Sequence, residues 1–122
     1  MEIFPVEYLE MCEKAKELQE KWSPQEWHCY CEKGVWNNDK IQEVKGDLSD
    51  EEIDDLKTNY YWIPRSNRLY GMMGRQRDII EGYEDFCERK KNRHPLIRDL
   101  EYAMHSICGK EWNEKERKWI RK

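Results

Sequence analysis

The chain has 122 residues and 15.1 kDa, a length for one domain rather than two. Charged residues make up 39% and mean hydropathy is −1.17, but a net charge of −4 is too small for a disordered chain, and six Trp and seven Tyr bring large areas to bury. No stretch approaches the ~20 apolar residues of a membrane span, and Met1-Glu2-Ile3-Phe4-Pro5 lacks the regions of a signal peptide, so a folded domain in the cytoplasm of a bacterium or an infected host is expected.

Residues 5–22 read as one helix. Pro5 suits its first position, and Tyr8, Met11, Cys12, Ala15, Leu18 and Trp22 recur at helical spacing as one apolar stripe. Glu10, Glu13, Lys14, Glu17, Glu20 and Lys21 form the wet face, and Pro24 stops the helix. Residues 27–31 alternate as a strand, with Trp27, Cys29 and Cys31 on one face and His28 and Tyr30 on the other. Turn signals at Lys33-Gly34 and Asn37-Asn38-Asp39 lead to a partner strand over residues 41–44.

Ser49 and Glu52 fit a capping box, and Asp50, Glu51, Glu52, Asp54 and Asp55 place acid at the positive end of a short helix. Residues 60–63 are aromatic and β-branched and stop at Pro64, as a third short strand does. Ser66 caps a second long helix to about residue 91, with Leu69, Met72, Ile79, Ile80, Tyr83 and Phe86 inward. Pro95 opens a third, with Leu96, Leu100, Ala103, Met104, Ile107 and Cys108 inward and Gly109 as C-cap. Residues 110–121, with Trp112, Trp119 and Ile120, read as a shorter terminal helix or hook. Runs of one element type without βαβ alternation predict an α+β fold in a single domain over residues 1–122. It is mostly helical: three long helices, one or two short ones, and a small antiparallel sheet of two or three short strands.

Several phrases occur together: Tyr8-Leu9-Glu10-Met11-Cys12 with Ala15 and Gln19, then Trp22-Ser23-Pro24, then Trp62-Ile63-Pro64-Arg65 with Leu69 and Met72, then Glu111-Trp112-Asn113. Their order and spacing resemble a group of small uncharacterised proteins of phage and prophage genomes. Those carry Y-x-x-M-C, W-x-P, W-L-P-R and K-x-W-N phrases. Asn67 and Tyr70 stand where that group tends to have Asp and Gln. The resemblance implies an origin and carries no activity, cofactor or functional residue to this chain.

Five cysteines, Cys12, Cys29, Cys31, Cys87 and Cys108, are odd in number and irregular in spacing, which fits buried thiols rather than a disulfide framework. His28, Cys29, Cys31, His105 and Cys108 offer metal-ligand types without the loop spacing of structural zinc, and no cofactor is expected. Cys87 with His94 or His105 has the types for nucleophilic catalysis, but Cys87 lies on an apolar stripe, so an enzyme is not expected. Two readings remain. One is a non-enzymatic accessory or protein-binding module, with tryptophans near loops as anchors and short edge strands able to pair with a second copy. The other is nucleic-acid binding through an arginine-rich helix over residues 65–93, with Arg65, Arg68 and Arg75 on phosphates and Trp62 stacked on a base. The pI of about 5.5 and the interspersed acids favour the first.

Overall fold

The apolar stripe of residues 5–22 folds as two helices rather than one. In the computed structural model, which describes residues 3–65, 69, 88–89 and 93–121, α1 spans Val6–Lys14 and α2 spans Lys16–Glu20. Ala15 between them leaves the helical region at φ −81°, ψ 78°. The break is repaired locally. Cys12 O, which Lys16 N–H would reach in an unbroken helix, accepts from Ala15 N–H at 3.2 Å and from the Gln19 side-chain amide at 2.9 Å. All six residues of the stripe are still buried. So is Glu10, expected on the wet face; Lys14 one turn later pairs with it at 2.7 Å.

The chain forms two units, Met1–Pro64 and Arg65–Lys122. In the first, β1 (Cys29–Glu32) lies between β2 (Gln42–Glu43) and β3 (Tyr60–Ile63), antiparallel to both. The register opposes Cys29 to Ile63 and Cys31 to Tyr61 on one face, and Tyr30 to Trp62 on the other. Helix α1 packs against β3, and the Tyr8 hydroxyl donates to Pro64 O at the strand's end. Trp27 does not join the strand. It sits at φ 74° with its N–H on Val44 O at 2.8 Å, and this left-handed residue ends the expected alternation. A single 3₁₀ turn, Asn38–Lys40, leads into β2. Helix α3 (Asp50–Asn59) starts on the predicted capping box, both bonds 3.2 Å, and Leu56 anchors it.

In the second unit, α4 spans Pro95–Cys108. His94 Nδ1 caps it by accepting Leu96 N–H at 3.2 Å, and Gly109 ends it at φ 66°, the left-handed C-cap its sequence predicts. Of the terminal helix or hook expected, the helix is corrected here, because residues 110–121 form a hairpin. Strands β4 (Lys110–Asn113) and β5 (Lys118–Arg121) pair with Trp112 opposite Trp119, ring centroids 5.3 Å apart. Asn113 Oδ1 accepts from Lys115 and Glu116 N–H, both at 3.0 Å, so the side chain nucleates the turn. The aromatic pair and this Asx turn outweigh helix propensity. Arg93 ties helix to hairpin through Glu101 of α4 and Glu114 of the turn.

The architecture is thus mixed α+β with two small antiparallel sheets. Of the three long helices expected, residues 95–108 form one, and residues 5–22 are divided. Most of residues 66–91 lies outside the described residues, where Leu69, Glu88 and Arg89 are helical. No helix of the described residues is long and apolar enough to cross a membrane.

Candidate interaction surface

Trp62, expected at the surface, is a core ring with 5% exposure. Period two on β3 sets it on the face opposite Tyr61, and Trp22 covers that face. The two indoles stack 6.4 Å apart at 4°, and His28 lies 5.4 Å from Trp62 on centroids. Gln19 closes the outer edge of β3: its Oε1 accepts Trp62 N–H at 2.7 Å and its Nε2 donates to Trp62 O at 3.0 Å. Arg65 is half-buried in the second unit, where its carbonyl accepts Leu69 N–H at 3.2 Å. Arg68 and Arg75 lie outside the described residues.

The thiols of Cys12, Cys29 and Cys31 are buried and form no disulfide among the described residues. Burial raises the Cys12 pKa far above its ordinary 9.0, which keeps the thiol protonated and a poor nucleophile. Cys31 Sγ donates to Val35 O at 3.3 Å, beside the Tyr61 hydroxyl on the same carbonyl at 2.6 Å. His28 Nδ1 accepts from the Trp22 indole at 3.2 Å and from Gln25 N–H at 3.3 Å, so this nitrogen is used in holding the core. Cys29 and Cys31 belong to the first unit, His105 and Cys108 to the second. Among the described residues no three His, Cys, Asp or Glu side chains gather as a metal set. Cys87 lies outside them.

Two indoles reach the surface. Trp36, 36% exposed, is pinned by Glu13, whose Oε1 accepts its indole N–H at 2.7 Å while Oε2 accepts Gly34 N–H at 2.6 Å. The Lys14 ammonium stands 5.6 Å from the ring centre. Trp27 is 60% exposed, on the left-handed backbone fixed to Val44.

Val44 also lines a cleft of about 510 Å³ between the β1–β2 hairpin and α3. Tyr30 and Tyr60 wall it, rings 5.2 Å apart at 87°. Glu43, Glu51, Glu52 and Asp55 bring four carboxylates to its lining, against the single amine of Lys45 among the described residues. Glu52 closes the capping box, and Asp55 accepts the Asn59 side-chain amide at 2.7 Å. Burial first, then Tyr60 and Asp55, hold the Tyr30 phenol above its ordinary pKa. A second cleft, about 560 Å³, mixes Lys16, Lys33 and Lys57 with Glu13 and Glu20 and has no strong sign of charge.

Sequence reasoning assigns the acids of residues 50–55 to the helix dipole and misses the cleft. Its one local signal is Tyr30, which the period of two turns away from Cys29 and Cys31; that Tyr60 comes beside it depends on strand pairing. No family model, curated protein or solved structure matches this chain.

Proposed function

We propose that this chain is a non-enzymatic protein-binding module of the small phage or prophage type that its phrases resemble, working in the cytoplasm of a bacterium or an infected host. Trp27 carries the reading. An indole 60% exposed stands on a backbone at φ 74°, a conformation that costs a non-glycine residue about 1–2 kcal/mol. The hydrogen bond to Val44 holds that backbone, so the backbone that carries the ring has little freedom to lose on binding. Large aromatics fixed in this way dominate the energy of protein interfaces.

Nucleic-acid binding through residues 65–93 is the competing reading. It requires residues 66–91 to form the second of three long helices. It also loses its stacking residue, because Trp62 is covered by Trp22.

The test compares the full chain with Trp27→Ser as bait in a bacterial lysate, beside titration with duplex and single-stranded oligonucleotides at ~0.15 M salt, where distant charges are screened. The expected result is a protein held by the parent and lost with Trp27→Ser, with oligonucleotides binding weakly. A micromolar oligonucleotide complex weakened by Arg65→Ala, Arg68→Ala and Arg75→Ala would overturn the reading. So would the absence of any Trp27-dependent partner.

A further inference from the structure

The cleft lined by Val44, whose carbonyl holds the Trp27 N–H, has a chemistry that the indole does not supply. Its volume of about 510 Å³ lies in the ~300–1,000 Å³ range of ligand sites. Four carboxylates against one amine give its lining a negative formal charge. Glu52 and Asp55 serve α3 and its cap as well, and Glu43 has a partner of its own, but the Glu51 side chain makes no hydrogen bond or ion pair among the described residues and stands exposed. Behind these charges, Tyr30 and Tyr60 meet nearly at right angles, and Leu56 adds an apolar patch.

We infer that this cleft receives a lysine or arginine side chain from a basic segment of the partner protein. The inference rests on the protein-binding reading and names the chemistry of the partner. An acidic or phosphate-bearing occupant would meet like charge. An apolar one would desolvate the carboxylates, which is costly. No three of the acids gather closely enough among the described residues to hold a metal ion, so the positive charge that fits comes on an organic side chain. An aliphatic stem lies along Leu56, its charged head at the carboxylates and its flank on the tyrosine rings.

The test is an NMR titration of the isotopically labelled full chain at ~0.1 M salt with two synthetic peptides, one alternating glycine with arginine and one alternating glycine with glutamate. The arginine peptide is expected to shift the amides of Tyr30, Val44 and Tyr60, and the glutamate peptide to shift none of them. Glu51→Gln should weaken the arginine peptide about fivefold, the scale of one exposed ion pair. Asp54→Gln is the control: it removes the same charge from an exposed residue of the same helix that does not line the cleft. Equal weakening by Asp54→Gln, shifts centred outside the cleft, or equal binding of the glutamate peptide would overturn the inference. Tyr60→Leu keeps apolar bulk while removing the ring, and weakening beyond that of Asp54→Gln supports the tyrosine wall. If this variant fails to fold, the Glu51 and Asp54 pair decides. Failure of the arginine peptide alongside a Trp27-dependent partner removes the cleft assignment and leaves the protein-binding reading standing. Failure of both removes both.

Discussion

Replacing Gln19 should release two elements at once. Its amide makes three hydrogen bonds: to Cys12 O at 2.9 Å, where the helix breaks, and to the N–H and C=O of Trp62 at 2.7 and 3.0 Å, on the open edge of β3. Gln19→Ala removes all three and leaves a strand amide and two carbonyls to find water. At roughly 0.5–1.5 kcal/mol per bond, with part of the desolvation cost of the orphaned groups, the loss is about 2–4 kcal/mol. With an m-value of ~1.5 kcal/mol/M, the urea midpoint falls by about 1.3–2.7 M. The near-ultraviolet dichroism of the stacked Trp22–Trp62 pair follows the unfolding of this unit. Gln19→Glu refines the test. It keeps an acceptor for Trp62 N–H but sets a carboxylate against two carbonyls, which favours the protonated acid in the folded state. Its folded pKa then lies above the ordinary ~4.3. The stabilisation is complete below that unfolded value and is lost as pH rises through the folded one. The variant should therefore approach the parent in acid and trail it at neutral pH. An unchanged midpoint for Gln19→Ala, or a Gln19→Glu deficit that does not shrink in acid, refutes the bridge.

Other perturbations test separate parts of the structure. Gly109→Ala places a Cβ at φ 66° and should destabilise α4 by about 1 kcal/mol in chemical denaturation, an effect absent if the cap is not used. Trp27→Asn should leave stability unchanged or raise it, because Asn tolerates φ 74° and the lost indole is largely exposed; a drop beyond ~1 kcal/mol would mean that the ring packs. Cys12, Cys29 and Cys31 should resist alkylation in the native chain and react on unfolding, as read by mass mapping. Burial raises the pKa of Cys12 above 9.0 and, with the nearby Cys31 adding to burial, that of Tyr61 above 10.0. Both groups are protonated in each state below those values, so stability is full there and falls as pH rises past about 9, where only the unfolded chain deprotonates freely. A stability curve flat from pH 8 to about 10.5 would contradict their burial.

The parts of the fold legible in the sequence are those that one segment determines. The Ser49–Glu52 capping box needs four residues, and Pro95 with Gly109 brackets α4 without reference to anything else. The six-residue stripe of residues 8–22 is also local, and it buries although the helix beneath it breaks. The break itself is not local. The Gln19 amide that replaces the lost helical bond also binds Trp62, 43 residues away, so its second purpose is invisible to periodicity. The terminal hairpin is hidden for a different reason. Trp112 and Trp119 are compatible with a helix by spacing, and only the Asn113 turn, with its side chain on two backbone amides, aligns them as a cross-strand pair.

The same contrast explains why the sequence misplaces two tryptophans. Alternation places Trp27 on one strand face with Cys29 and Cys31, and the nucleic-acid reading sets Trp62 at the surface. One backbone angle changes the first assignment: at φ 74° the chain turns before β1 begins, and the alternation that buries the cysteines stops short of Trp27. Pairing changes the second, since Trp62 opposite Tyr30 lies under Trp22, a ring contributed by the segment after α2. Both indoles are equally apolar, so hydrophobicity cannot rank them; the left-handed residue and the strand register do. The consequence is a separation of roles within one small unit. Trp62 stabilises the sheet through its stack and the Gln19 bridge, whereas Trp27 contributes exposed area at a conformational cost. A residue whose removal relieves strain without opening the core contributes little to folding, which is why the protein-binding reading proposed for this chain rests on Trp27.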